Sequence, residues 1–240
     1  MPAADPRQNR LIAALPAEDY ARIAPALELV PIPLGHALYE PGIHMRYVYF
    51  PIDAVVSLLC VMEDGATAEI AVVGNEGIVV VSLFMGDETT PSRAVVQGGG
   101  HVYRMKSKTL KDAFYRAGAM QHVLLQYTRA LLTQMGQTAV CNCHHTLDQQ
   151  LCRCLLLALD RLPSHELIMI QALIANMLGV RREGVTDAAG KLQKLGVIRY
   201  SRGQITVLDR PQLEQLSCEC YAVVKRETDR IEGLTTPHVA

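Results

Sequence analysis

The chain has 240 residues, half of them hydrophobic and one fifth charged, a composition with enough apolar side chains for two packed cores and unlike that of a disordered chain. Its most apolar uncharged stretch, Leu167 to Val180, is only 14 residues long, short of the roughly 18–20 a spanning helix needs. The opening MPAADPRQNR lacks the apolar core of a secretory signal, so no membrane partner and a cytoplasmic location are expected. The formal charge of −1 hides an asymmetry: between Gly179 and Arg210 stand seven Lys/Arg and three acids, leaving 16 basic and 21 acidic residues elsewhere. A basic segment on an acidic chain is a modest nucleic-acid footprint.

In chain order, a helical start over residues 9–27, with a turn near Pro16, leads into short β-branched and aromatic runs at 29–33, 37–39, 47–50, 54–62, 67–73 and 93–97. Between them lie breakers such as Glu40-Pro41-Gly42, Glu63-Asp64-Gly65 and Gly98-Gly99-Gly100, which predict a compact β-roll. From Ser107 to Arg161 there is no proline. Leu124, Leu131 and Thr138 recur every seven residues, with Tyr127, Gln134 and Cys141 beside them. Such a seam suits a long helix packed on a partner, as in a parallel dimer, or one lying across its own roll. A break near 144–148 starts a second helix over 148–162.

The last third predicts an apolar helix over 167–178, a tight turn at Gly179-Val180, and a helix over 181–195 with Val185, Ala188, Ala189, Leu192 and Leu195 on one side. Gly196 ends it, and 197–200 and 204–208 bracket Ser201-Arg202-Gly203 as a β-hairpin. Helix, short turn, helix and hairpin make a winged helix-turn-helix, whose second helix reads the major groove of double-stranded DNA with its N-terminal residues. Arg181, Arg182, Glu183 and Thr186 occupy that end. Arginine donates two parallel bonds to guanine, and glutamate accepts from cytosine. Lys191, Lys194, Arg199 and Arg202 suit phosphate, which supplies affinity without discrimination.

These motifs, with Pro33-Leu34-Gly35, Gly74-Asn75-Glu76-Gly77 and Ser92-Arg93-Ala94 in the roll, make the chain resemble the cyclic-AMP receptor/fumarate–nitrate reductase regulator (Crp/Fnr) family of bacterial transcription factors. In the DNA-binding part, the run from Leu178 to Val185 is similar to the family's turn and recognition helix. The resemblance covers most of the chain and implies an α+β fold: a cyclic-nucleotide-binding-like β-roll, a long dimerisation helix and a C-terminal winged helix. It also implies a homodimer and contact with RNA polymerase. Its effector pocket falls on Glu76, Ser92, Arg93 and Thr138. Cyclic-AMP receptors carry Arg-Ser-Ala where this chain has Ser92-Arg93-Ala94, so the arginine that pairs with the cyclic phosphate is missing from its place in the motif. An effector other than cyclic AMP is therefore expected. Asp187 stands where the receptor's recognition helix has a base-contacting arginine, so the receptor's operator is not carried over.

Six of the seven cysteines lie in Cys-x-Cys pairs, at 141/143, 152/154 and 218/220. In a reducing compartment these are thiols rather than disulfides. Residues two apart on a helix point to nearly opposite sides, so Cys152 and Cys154 read as buried packing residues, as does Cys60. Cys141, Cys143, His144 and His145 cluster where the long helix should end; Cys141 and His145, four apart, share a helical face compatible with two metal ligands. Cys218 and Cys220 could join them on folding. No cofactor follows from the spacing.

No nucleophile with an identifiable base and orienting group is present, so an enzyme is not expected. The expected division is an effector domain over 1–116, a dimerisation helix and hinge over 117–146, a DNA-binding domain over 147–230 and a tail over 231–240. The function expected is a dimeric, sequence-specific DNA-binding transcriptional regulator controlled by an effector at the roll or the hinge. A thiol- or metal-based sensor on the same fold, or a ligand-binding module acting by protein contact without DNA, are the alternatives.

Overall fold

A computed structural model describes residues 5–233 except 80, 81, 87, 163–165, 170 and 202. Two short helices, α1 (Arg10–Ala13) and α2 (Ala17–Ile23), precede strands β1 (Glu28–Ile32), β2 (Ala37–Tyr39), β3 (Tyr47–Pro51), β4 (Val55–Val61), β5 (Thr67–Val73), β6 (Arg93–Gly98) and β7 (Gly100–Lys106). Helices α3 (Ser107–Tyr115), α4 (Ala119–His144) and α5 (Leu147–Leu159) follow. The C-terminal part holds β8 (Glu166–Ile168), α6 (Gln171–Leu178), α7 (Arg182–Lys194), β9 (Ile198–Ser201), β10 (Gln204–Val207), α8 (Arg210–Leu216) and α9 (Glu219–Glu232).

The roll consists of two antiparallel sheets, β1-β7-β3 and β2-β6-β4-β5. Strand β7, absent from the sequence reading, is the centre of the first sheet; Gly99 alone separates it from β6. Side chains such as Val48, Phe50, Val56, Val96 and Met105 fill the space between the sheets, and α4 closes one side with Leu124, Tyr127 and Leu131. Asn9 caps α1, accepting from the amides of Leu11 and Ile12, while its buried side-chain amide donates to the carbonyls of Pro51 and Gly77. One asparagine thus ties the N-terminal helix to the Gly74–Gly77 turn.

The heptad seam faces inward. Leu124, Tyr127, Leu131, Gln134, Thr138 and Cys141 are all buried by the chain itself, so this face belongs to the roll and to α9. A second stripe is exposed: His122, Leu125, Arg129, Leu132, Gly136, Ala139 and Cys143 recur at alternating steps of three and four along α4, with Val140 beside it and Leu125 and Leu132 each more than half exposed.

Helix α5 starts from a capping box: Thr146 Oγ1 accepts from the Gln149 amide and the Gln149 side chain accepts from the Thr146 amide. Every residue from Gln150 to Leu159 is buried, which makes α5 the central rod of the second core, shared by the winged helix and by Val55 and Val72 of the roll. Residues 167 and 168, expected at the start of a helix, instead belong to β8, antiparallel to β10. A short apolar run reads equally as buried strand or helix from periodicity, and pairing with the hairpin decides it. The wing is therefore a three-stranded sheet, β8-β10-β9. Helix α6 ends at Gly179, whose φ of +65° is the left-handed turn a glycine adopts without strain. Leu195, expected on the buried side of α7, is 55 % exposed because the helix has already ended at Lys194. Helix α9 folds back onto α4 and buries Ile231 in the roll's core. Of the tail expected from residue 231, residues 231 and 232 complete α9 and Gly233 is exposed; 234–240 lie outside the described residues.

Candidate nucleic-acid interface and hinge

Val185, Ala188, Ala189 and Leu192 anchor α7 on α5 and α6. The opposite face carries Arg181 at the N-cap and Arg182, Glu183, Thr186, Asp187, Lys191 and Lys194 on the helix, all exposed. Gly184 permits the close approach to α5: a Cβ there would stand 2.8 Å from Leu147 Cδ2. Among the described residues Arg181, Arg182, Lys194 and Arg199 hold no ion pair. Lys191 does: its ammonium lies 2.8 Å from Asp148, and that carboxylate holds its pKa above the ordinary lysine value. Of the four residues expected to meet phosphate, Lys191 therefore points back to α5, Lys194 and Arg199 stand clear, and Arg202 falls outside the described residues. The Thr186 hydroxyl lies 3.0 Å from Gln171 Oε1 and 3.0 Å from the Arg182 carbonyl. Arg210 is drawn inward, bonding Asp160, Glu214 and the Tyr221 hydroxyl.

The four residues expected to line one effector pocket are dispersed. Glu76 is buried and paired with Arg161 from the end of α5, Nε to Oε1 2.7 Å. The same guanidinium donates to the Leu157 carbonyl and to Gln134 Oε1 on α4. A Cβ on Gly74 would stand 2.6 Å from Arg161, and one on Gly77 2.5 Å from the Tyr127 ring, so this turn is wedged beneath both helices. Glu76, expected to face an effector, instead locks the roll to the DNA-binding part. Thr138 accepts from Arg153 Nη2 at 2.6 Å and donates to the Gln134 carbonyl. Ser92 lies in the loop before β6, its amide donating to Thr90 Oγ1, and Arg93 pairs with Glu40 at 3.0 Å. Arg93 borders an interdomain cavity of about 270 Å³ between the β2-β6-β4-β5 sheet and α6, with Ser57, Thr67 and Gln97 on one wall and Leu173, Asn176 and Met177 on the other, while Glu76 borders a smaller one of about 60 Å³ beside Arg10, Asp160 and Lys225. A larger surface hollow of about 750 Å³, unsuspected from sequence, lies by Tyr47, Glu88, Lys111 and Tyr115 on the roll.

The cysteines separate cleanly. Cys152 and Cys154 are buried on α5, and burial pushes the Cys152 thiol up to about 12 and Cys154 higher still, as inert packing residues behave. Cys60, expected to be buried, is exposed on β4. Cys143 and His144 are exposed at the end of α4 and stay apart from the cluster that Cys141 and His145 form with Cys218 and Cys220. The sequence placed Cys141 and His145 on one helical face, but only the return of α9 supplies the other two.

Roll, long helix and winged helix-turn-helix follow one another along the chain, and the comparisons find this arrangement in known proteins. Residues 149–216 match the Crp-like helix-turn-helix domain. FixK2 from Bradyrhizobium japonicum is similar over 80 % of this chain and 98 % of its own, with 17 % identity and a TM-score of 0.66. A chain from Eubacterium rectale assigned to the Crp/Fnr family covers 88 % and 98 %, at 16 % identity and a TM-score of 0.68. CLP of Xanthomonas campestris, described as a c-di-GMP-responsive global regulator, covers 80 % and 99 %, at 16 % identity and 0.64. No curated protein matches in sequence. The chain has the Crp/Fnr transcriptional-regulator fold and carries that family's helix-turn-helix domain. Among the described residues no helix is long and apolar enough to cross a membrane.

Proposed function

We propose that the protein is a homodimeric, sequence-specific DNA-binding transcriptional regulator, with RNA polymerase as a second partner by family resemblance. The observation that carries the reading is the two-sided character of α7. One face is sealed into the core by four apolar side chains, and the other offers Arg181, Arg182 and Glu183 at a helix N-terminus with neither arginine engaged. Backbone amides at that end add attraction for phosphate. Arg181, Arg182, Glu183 and Thr186 would read bases, while Lys194, Arg199 and Arg202 hold the backbone; Lys191 joins them only by exchanging Asp148 for phosphate.

Two recognition helices must be spaced about 34 Å apart to meet successive major grooves. Support for pairing comes from the exposed stripe of α4, with Leu125, Leu132 and Val140 at or beside seam positions. Control would then act through the hinge. An effector held by the cavity at Arg93, or a change where α4, α5 and α9 meet, need only favour one of two arrangements of the winged helices. The functional division proposed is a roll to residue 116, the long helix and hinge to 146, and the DNA-binding part from 147, with α9 returning to the hinge.

The test is binding to genomic DNA fragments. Arg182→Ala should weaken the specific site by about 1–3 kcal/mol while sparing random duplex, and Lys194→Ala should weaken all sequences evenly and lower the salt slope by about one. Equal losses on specific and random DNA for Arg182→Ala would remove the base-reading role. Leu132→Glu should give a folded monomer by sedimentation; an unchanged dimer would move the interface off α4.

A further inference from the structure

Two helices that are remote in sequence bring four metal-binding side chains to one point at the hinge. Cys141 lies in the last turn of α4 and His145 is its C-cap; Cys218 is the N-cap of α9 and Cys220 lies in its first turn. Their ligand atoms all lie within 4.8 Å of one another. Cys141 Sγ is 3.5 Å from Cys218 Sγ, and Cys220 Sγ is 3.7 Å from His145 Nδ1. Zinc–sulfur bonds of about 2.3 Å and zinc–nitrogen bonds of about 2.0–2.1 Å place the corners of a tetrahedron roughly 3.4–3.8 Å apart. Two of the edges are already at that length, and the longest must close by only about 1 Å.

The surroundings point the same way. His145 Nε2 lies 3.3 Å from the Glu219 carboxylate. That contact orients the ring and leaves Nδ1 as the ligand atom, the usual arrangement of a carboxylate behind a metal-bound histidine. Arg153 reaches in from α5; it is 5 % exposed, and its Nε has no hydrogen-bond partner among the described residues. Three neutral thiols are poor company for a buried guanidinium. Three thiolates and one imidazole around a divalent ion carry one net negative charge, which Arg153 balances.

We propose that Cys141, His145, Cys218 and Cys220 form a closed tetrahedral zinc(II) site that staples the end of the long helix to the start of the last one. Four protein ligands leave no open position, so the ion is structural or regulatory rather than catalytic. Because α9 begins just beyond α8 of the winged helix, occupancy sets how the DNA-binding part leaves α4. The inference stands or falls independently of DNA recognition.

The experiment uses the full chain, stripped with chelator under reductant and titrated with cobalt(II) and then zinc(II). Expected are one ion per chain by native mass spectrometry, tetrahedral cobalt bands with thiolate charge transfer, and their bleaching by zinc. Cys141→Ser and Cys218→Ser should lose the charge-transfer intensity in proportion to the thiolate removed. Cys143→Ser and Cys152→Ser should retain it, and Glu219→Gln should weaken zinc about tenfold. Wild-type protein that takes up neither ion, an octahedral cobalt spectrum, or full uptake by the Cys218→Ser/Cys220→Ser double variant would overturn the site. The wild-type spectrum decides the matter even if a variant fails to fold.

Discussion

Two of the contacts that hold the DNA-binding part to the roll differ in kind. At one, Arg161 bonds Glu76 on the roll, Gln134 on α4 and the Leu157 carbonyl of α5, with both charges almost wholly buried. At the other, α6 rests on the open face of the four-stranded sheet across a cavity of about 270 Å³ with polar walls. There Ser57 stands between Glu69 at 2.6 Å and Gln97 at 2.9 Å, and Gln97 reaches Met169. The first attachment is geometrically unforgiving, since a charge buried without its partner is strongly penalised. The second leaves a polar-walled cavity between the two surfaces. The first is a rigid pivot, the second a softer contact.

The largest effect should come from breaking the pivot. Arg161→Ala strands Glu76 and should destabilise the protein by about 3–5 kcal/mol in denaturant unfolding. Replacing both partners by apolar residues of similar volume, Arg161→Met with Glu76→Leu, should recover most of that loss. If the double variant is as unstable as the single one, the pair is more than a mutual neutraliser. A smaller effect is expected at the soft contact. Burial outweighs the Ser57 hydrogen bond and the nearby Arg153 and Arg161 charges, and raises the Glu69 carboxyl from 4.5 to about 7. A protonated Glu69 also resolves its network, donating to Ser57 so that Ser57 can donate to Gln97. Since the folded state then holds a proton that the unfolded chain has released, stability falls as pH rises from about 4.5 to 7 and levels off above. Glu69→Gln should therefore raise Tm at pH 8, by about 2–4 °C if the gain is ~1 kcal/mol, and leave it unchanged at pH 4. An equal shift at both pH values would show that the carboxyl does not titrate in this window.

Much of the fold is legible in the residues because the signals are local. Breakers such as Glu40-Pro41-Gly42 bounded the strands, Thr146 and Gln149 capped α5 where a break was expected, and Gly179 and Gly196 marked the two ends around α7. The exposed bases of α7 were readable for the same reason: Val185, Ala188, Ala189 and Leu192 define the buried face, and Arg181, Arg182 and Glu183 fall on the other. Misreadings arose where a distant element chose between equal local options. Residues 167 and 168 became strand because β10 lies beside them, and Cys60 is exposed because its strand runs out past the roll's core.

The sequence alone determined helix-turn-helix, wing, roll and the face of α7 that could meet DNA, since each follows from side-chain periodicity and turn chemistry within a few residues. Tertiary structure alone decided which stripe of α4 is covered, that Glu76 answers Arg161, that Lys191 answers Asp148, and that Cys218 and Cys220 come to rest beside Cys141 and His145. Those pairings join residues 43 to 85 positions apart. No local rule encodes them, because they are set by how α4, α5, α7 and the returning α9 pack on one another and on the roll.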